Sequence, residues 1–132
     1  MSKSPEDSRP FQFNDWIAEE FDDAGPFTAL VVLVAIGGIE VTPLRSTFLH
    51  VIGDEIDWIA FSEMMRGANV NWDGAMLMPM RDENGGLFED AHARSELRLL
   101  EKRIIEDRLV LNEGHFFDKW GRRLKIEEAQ AQ

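Results

Sequence analysis

The sequence contains no cysteine, and this absence excludes several kinds of chemistry at once. Disulfide bonds, thiolate catalysis and zinc or iron–sulfur sites built from cysteine are all ruled out. The glycine pair Gly37-Gly38 lacks the spacing of a phosphate-binding loop, and no serine lies in a GxSxG context. The lack of cysteine is consistent with a cytoplasmic protein, and we expect that location.

Basic residues are also scarce, with 14 Lys and Arg against 25 Asp and Glu and a net charge of −11. The imbalance is uneven, because residues 1–80 contain 4 basic and 13 acidic residues. An acidic domain is repelled by nucleic-acid phosphates and by anionic lipid surfaces. We therefore expect neither a nucleic-acid nor a membrane partner.

No apolar run is long enough to cross a membrane. The longest, over residues 27–39, is shorter than the roughly 20 residues that a spanning helix needs. The amino-terminal MSKSPEDSRP is polar and acidic, unlike a secretory signal. We expect a disordered tail over residues 1–10, one domain over residues 11–128 and a frayed carboxyl terminus over residues 129–132.

The clearest predicted element is a long helix within residues 88–111. Ala93, Leu97, Leu100 and Ile104 recur every three or four residues, which is the pattern of one apolar helix stripe. Its charged residues predict local ion pairs, such as Asp90 with Arg94. Two more helices are predicted, one from an N-cap at Asn14 to Gly25-Pro26 and one from a cap at Asp54 to Gly67.

Residues 27–39 are ambiguous between helix and strand, whereas residues 42–53 have the features of a helix. Valine and isoleucine favour a strand in the first segment, whereas its length and its start at Pro26 favour a buried helix. Thr42-Pro43 resembles a helix start, with Thr42 as N-cap and Pro43 in the first turn. We predict helices for both segments.

The remaining segments predict a small sheet. Met76, Met78 and Met80 alternate with smaller residues, which indicates a strand, and Pro79 favours an edge position. Further extended segments are predicted at residues 109–111 and 124–126. The expected fold is therefore α+β, a single small domain of four to five helices with a short antiparallel, hairpin-like sheet formed from residues 74–80 and 108–127.

Acid–base side chains gather near the carboxyl end of the chain. Glu113, His115 and Asp118 are the candidate catalytic residues, with Asp73 as a further member if it lies nearby. Their spacing matches no established metal-ligand or catalytic motif, and turns favour the same residue types. We predict no metal site and no cofactor. A small hydrolase or lyase using His115, with or without a metal, is the alternative function.

Five of the six methionines lie between residues 64 and 80, close to two tryptophans. Methionine suits surfaces that accept varied partners, although it also fills gaps in cores. The candidate partner-binding residues are Trp58, Met64, Met65, Trp72, Met76, Met78 and Met80. A basic ridge of Arg94, Arg98 and Lys102 could join Arg122, Arg123 and Lys125 in one positive face for an anionic partner. The preferred function is a non-enzymatic protein-interaction, accessory or regulatory domain with a protein partner or self-association.

Overall fold

A four-stranded antiparallel sheet lies at the centre of the computed structural model, which describes residues 12–53 and 55–127. The predicted tails and the predicted cap at Asp54 lie outside these residues. The strand order is β2-β1-β3-β4, and the predicted α+β class is confirmed. The elements are α1 (Gln12–Ala24), β1 (Phe27–Gly37), β2 (Glu40–Val51), α2 (Trp58–Arg66), β3 (Gly74–Met80), α3 (Asp90–Glu106), a 3-10 helix (Arg108–Glu113) and β4 (His115–Asp118).

The prediction of a helix at residues 27–39 is wrong, because this segment is the central strand β1. Residues 27–34 are all buried, since helices cover both faces of the sheet at this strand. A strand buried on both faces needs no polar residues at alternate positions and shows no period of two. Its composition therefore resembles that of a buried helix.

The predicted helix at residues 42–53 is also wrong, because β1 and β2 form a long antiparallel hairpin. A tight turn joins them, with Gly38 at a φ of 62°, a conformation that glycine adopts readily. The register shifts opposite Leu33 and Val34, which marks a bulge in β2. Thr42 and Pro43 thus lie within a strand.

The three α-helices agree with the predicted segments, although some of their caps differ. Asp57, not Asp54, caps α2, because its carboxylate accepts a hydrogen bond from Ala60 N at 2.8 Å. Asn14 lies inside α1, and its side chain accepts a hydrogen bond from Trp58 N instead of capping its own helix. Gly25 ends α1, as expected.

The carboxyl-terminal part contains less sheet than predicted. Residues 109–111 belong to the 3-10 helix, where Val110 and Leu111 are buried against α3. Residues 124–126 form no strand, and the nearest pairing is a single bridge between Phe117 and Arg123. A reciprocal pair of hydrogen bonds between Asn112 and Ile126 holds this segment instead.

Two apolar clusters, one on each face of the sheet, give the domain three layers. Alternate β1 residues Ala29, Val31 and Leu33 pack with α1 and α2. The intervening residues Leu30, Val32 and Val34 pack with α3 and the 3-10 helix. Within the described part of the chain, none of the helices is long and apolar enough to span a membrane.

Candidate functional site

The structure does not join the four predicted catalytic residues in one hydrogen-bonded site, although Asp73 precedes Gly74, which pairs with Asp118. Glu113 lies at the end of the 3-10 helix, where both of its carboxylate oxygens accept hydrogen bonds from Arg103 Nη2 at 2.8 and 2.9 Å. Within residues 12–53 and 55–127, no hydrogen bond joins any two of Glu113, His115, Asp118 and Asp73. The same residues contain no group of three or more histidines and carboxylates placed to hold a metal ion.

Asp118 and Asp73 both organise backbone in their own surroundings. Asp118 Oδ1 accepts hydrogen bonds from the backbone N–H groups of Trp120 and Arg122, and Oδ2 accepts one from Arg122 Nε. Asp73 Oδ2 accepts a hydrogen bond from Ile36 N at 2.7 Å, at the end of β1. These contacts are typical of aspartates that hold turns and strand ends.

His115 lies in β4 and faces α1. Its imidazole stacks on the Trp16 indole with the ring centroids 4.5 Å apart, and Arg123 Nη1 lies 3.2 Å from Nδ1. An arginine can only donate, so Nδ1 is the acceptor and the ring is neutral. Burial, together with the positive charge of Arg123, lowers the pKa of His115, and the carboxylate of Glu20 opposes this shift.

Most of the predicted partner-binding residues contribute to the core. Trp58, Met65 and Met76 are at most 5% exposed. Trp72, Met78 and Met80 are half-buried and pack against the two clusters. Met64 differs from them, because 42% of its surface is exposed.

Met64 lines a groove between α2 and β2, here named the α2–β2 groove, with a volume of about 400 Å³. Leu33, Leu49, Met65 and Ala68 supply the rest of its apolar wall, and Arg45, Ser46 and Thr47 lie along the β2 side. The groove exists because α2 is short and turns Trp58, Phe61 and Met65 toward the core. The outer part of β2 is therefore left without a helix on this face.

No described strand pairs with the outer side of β2. Asp73 N donates a hydrogen bond to Val34 O, so the backbone N–H and C=O groups of Val34 point toward β3. The backbone N–H and C=O groups of successive residues in a strand point to opposite sides. The backbone groups of the odd-numbered β1 residues therefore point toward β2, where they pair with Arg45, Thr47 and Leu49. The backbone groups of Ser46, Phe48 and His50 consequently point away from β1. We name these three residues the free edge.

Pro43 limits the length of this free edge. It lies opposite Val34, so its nitrogen also points outward, and proline has no N–H to offer a further strand. Proline at such a position is one way in which proteins limit unwanted pairing along an edge strand. Strand pairing is thereby restricted to the segment of β2 after the bulge.

The side chains of the free edge are held by α3. Ser46 Oγ donates to Glu101, the Arg94 guanidinium lies 5.8 Å from the centre of the Phe48 ring, and His50 Nε2 lies 3.1 Å from Asp90 Oδ1. These contacts fix the strand from one face only. The backbone of the free edge and the α2–β2 groove on the other face are left open.

Arg45 and Arg94 beside the free edge have no carboxylate partner among the described residues. Arg45 forms neither an ion pair nor a hydrogen bond with any residue in the described ranges, and Arg94 contacts the Phe48 ring. Asp90 and Glu101 accept hydrogen bonds from His50 and Ser46, so their negative charges lie on the same side as Arg94. The described lining of the α2–β2 groove, where Arg45 lies, contains no carboxylate. In a chain with a net charge of −11, Arg45 is therefore the more distinctive of the two cations.

The proposed single positive face is wrong. Arg123 lies over the Phe117 ring on the α1 side of the sheet, and Arg122 pairs with Asp118. Arg94 instead contacts β2 on the α3 side. The central sheet separates Arg123 from Arg94, so the six basic residues do not share one face.

Sequence reasoning missed Arg45 and the whole free edge, because β2 was predicted to be a helix. One signal was present: Arg45 is the sole basic residue between Arg9 and Arg66. An isolated cation within a β-branched and apolar segment is a candidate for a specific contact. Its meaning depended on the strand, which the sequence pattern did not reveal.

A second depression lies between the β1–β2 turn and the end of α3, with a volume of about 530 Å³. The highly exposed Ile39 and Ile105 line it, together with Glu106, Asp107 and Arg108. Its β2 residues, Glu40, Val41 and Thr42, precede Pro43, which limits strand pairing at this end of β2.

Comparison with protein-family models, with curated proteins and with solved structures gave no match.

Proposed function

We propose that this chain is a non-enzymatic protein-interaction domain that binds an extended segment of another polypeptide along β2. The observation that carries this proposal is the free edge of Ser46, Phe48 and His50 beside the α2–β2 groove. Addition of a strand to an exposed sheet edge is a common mode of peptide recognition. Main-chain hydrogen bonds supply affinity, and pockets for alternate side chains supply specificity.

The groove has the features that such a pocket needs. Its wall is mainly apolar, and the flexible thioether of Met64 is half-exposed, so it can adapt to different side chains. The opposite face of the strand is held by α3, so the strand is already ordered before a partner binds. Preorganisation of this kind reduces the entropy lost on binding.

The alternative function, a hydrolase or lyase centred on His115, has no comparable support. Arg123 occupies Nδ1 of this imidazole, and the ring face lies against Trp16. Glu113 and Asp118 contact arginines of their own. No observation on the described residues favours this alternative over the interaction domain.

Selection from a random peptide library displayed on phage, with the full chain as bait, tests the proposal. We expect enriched peptides whose binding falls at least about tenfold when Met64→Lys places a charge in the groove. The matched control is Ile59→Lys, which adds the same charge to α2 at an exposed residue outside the groove lining.

Failure of the selection to enrich any peptide would contradict the proposed function. So would enriched peptides that bind the Met64→Lys variant as tightly as the unaltered chain. NMR chemical-shift mapping with one selected peptide locates its binding site. We expect the largest chemical-shift changes at Thr47, Phe48 and Leu49.

A further inference from the structure

We infer that the segment bound along β2 is acidic and amphipathic, and that one of its carboxylates pairs with Arg45. This inference rests on the proposed function and specifies the class of partner. Its basis is charge complementarity, because Arg45 lies at the groove wall with no carboxylate of the described residues paired to it. An acidic chain that keeps such a cation uncompensated beside an open strand favours an anionic ligand.

The geometry of an added strand determines where the carboxylate must be. The sheet is antiparallel throughout its described strands, so the partner is taken to pair antiparallel to β2. Residues opposite each other on antiparallel strands point to the same face. Partner residues opposite Arg45, Thr47 and Leu49 therefore face the α2–β2 groove.

These three positions define a sequence pattern. Leu49 lies beside the apolar part of the groove with Met64 and Met65, so the partner residue opposite it is apolar. The residue two places later lies opposite Thr47 and is also apolar or β-branched. The residue two places after that lies opposite Arg45 and is aspartate or glutamate. In the amino-to-carboxyl direction the pattern is apolar-x-apolar-x-acidic.

Charge on the other face is mixed, so the choice of an acidic segment rests on the groove side. Partner residues at the x positions lie on the α3 side, near Phe48 and the Arg94 guanidinium. Arg98, one turn further along α3, also has no ion-pair partner among the described residues. Asp90 and Glu101 also lie on the α3 side, where they accept hydrogen bonds from His50 and Ser46 and keep their negative charges. On the groove face, Glu63 of α2 is paired with Arg66. The described lining of the α2–β2 groove thus contains one cation, Arg45, and no carboxylate.

The test uses two fluorescein-labelled nonapeptides that contain the sequence Val-Thr-Val-Thr-Glu or Val-Thr-Val-Thr-Lys between identical flanking residues. Fluorescence anisotropy measures the binding of each peptide to the full chain and to two variants. We expect the unaltered chain to bind the glutamate peptide at least about tenfold more tightly than the lysine peptide. The variant Arg45→Glu reverses this preference.

The matched control is Lys125→Glu, which makes the same change in net charge at an exposed residue far along the chain from β2. We expect it to retain the preference of the unaltered chain for glutamate. Raising the salt concentration should weaken the binding of the glutamate peptide more than the binding of a peptide that has glutamine at this position. The reason is that salt screens the contact between the glutamate and the exposed Arg45.

Two peptide modifications test the strand geometry without altering the protein. N-methylation at the residues opposite Ser46, Phe48 and His50 removes donors that point at the free edge, and it should abolish binding. N-methylation at the intervening residues removes donors that point away, and binding should persist. Equal losses from the two modifications would overturn strand addition.

The remaining outcomes separate this inference from the proposed function. If library-selected peptides bind in the groove but show no acidic preference, or if Arg45→Glu leaves the preference unchanged, the inference is wrong and the interaction domain stands. If light scattering shows a dimer that Met64→Lys dissociates, a second copy occupies the edge and the acidic segment is wrong. If no peptide binds, both are wrong.

Discussion

At the scale of single residues, Thr28 connects three elements through one hydroxyl group. It is fully buried in β1, and its Oγ1 accepts a hydrogen bond from Phe88 N at 2.9 Å. The hydroxyl proton is then free to be donated to His50 Nδ1, also at 2.9 Å. His50 in turn donates from Nε2 to Asp90. A threonine with no exposed surface cannot reach a substrate, so this chain of contacts is structural.

Replacing Thr28 with valine tests that role. The variant Thr28→Val keeps the shape but leaves the buried Phe88 N–H without an acceptor, so we expect a loss of about 1–3 kcal/mol in the free energy of unfolding. Urea denaturation measures it. Thr47→Val is the control, because Thr47 makes no side-chain hydrogen bond with a described residue. Equal effects of the two substitutions would contradict the role of Thr28.

His115 makes stability depend on pH. Its pKa is below the ordinary value of 6.5 in the folded state, mainly because of burial and secondly because of Arg123. The unfolded chain therefore binds more protons as the pH falls through 6.5, and stability decreases between that pH and the lower folded pKa. The contribution of the neutral His115 to stability is retained fully above pH 6.5.

The variant His115→Gln should remove this part of the acid sensitivity, because glutamine does not titrate. The measurement is the free energy of unfolding at pH 7.5 and pH 5.5 for both proteins. An NMR titration of the His115 imidazole provides an independent check, and Arg123→Gln should move its midpoint upward. A midpoint at or above 6.5 in the unaltered chain would refute the prediction.

At the scale of secondary-structure elements, β2 differs from β1 because one of its sides has no neighbouring strand within the described part of the chain. Amide hydrogen exchange should reveal this difference residue by residue. We expect fast exchange at Ser46, Phe48 and His50, whose N–H groups point outward, and slow exchange at Thr47 and Leu49, whose N–H groups bond to β1.

The pattern should be measured by NMR at two protein concentrations. Alternating protection at both concentrations agrees with an open edge on a monomer. Uniform slow exchange that appears at the higher concentration would indicate that a second copy pairs with β2. Bound acidic peptide should slow exchange at the three outward amides and leave their neighbours unchanged.

The helix α3 illustrates how tertiary contacts replace local ones. Its spacing predicts ion pairs along the helix, including Asp90 with Arg94. In the structure Asp90 binds His50, and Arg94 lies on Phe48, both in β2. Exposed pairs within a helix contribute only about 0.2–0.5 kcal/mol, so partners on a neighbouring strand can readily displace them. The stripe of α3 was predicted correctly because it depends on burial.

At the scale of the whole molecule, the two apolar clusters share the strands β1 and β3. Because each strand contributes side chains to both faces, loss of one cluster exposes the backbone that supports the other. The domain should therefore unfold as one cooperative unit. Three of the four tryptophans, Trp16, Trp58 and Trp72, lie on the α1–α2 side and report on that cluster.

The variant Ile104→Val weakens the opposite cluster and tests this cooperativity. We expect a loss of about 0.5–1.5 kcal/mol, with coincident transitions in tryptophan fluorescence and far-ultraviolet circular dichroism. The chemically similar Ile105→Val is the control, because Ile105 is 73% exposed and its substitution should change little. A dichroism transition that precedes the fluorescence transition would show that α3 unfolds by itself.

The sequence by itself determined those features that depend on near neighbours. The apolar stripe of Ala93, Leu97, Leu100 and Ile104, the helix ends at Gly25 and Gly67 and the alternation of Met76, Met78 and Met80 were all predicted correctly. Each one reflects a local period or a local backbone preference, so it can be recognised within a window of a few residues.

Only the tertiary structure decided that residues 27–51 form two strands instead of helices. The position of the candidate binding site along β2 follows from that. A strand buried on both faces has no period, and Thr42-Pro43 fits a helix start as well as an edge strand until the partner strand is known. The free edge and the unpaired Arg45 are defined by what lies beside them across the sheet. Pairing between distant segments is decided by the burial that the whole chain achieves, and no short stretch of sequence contains that information.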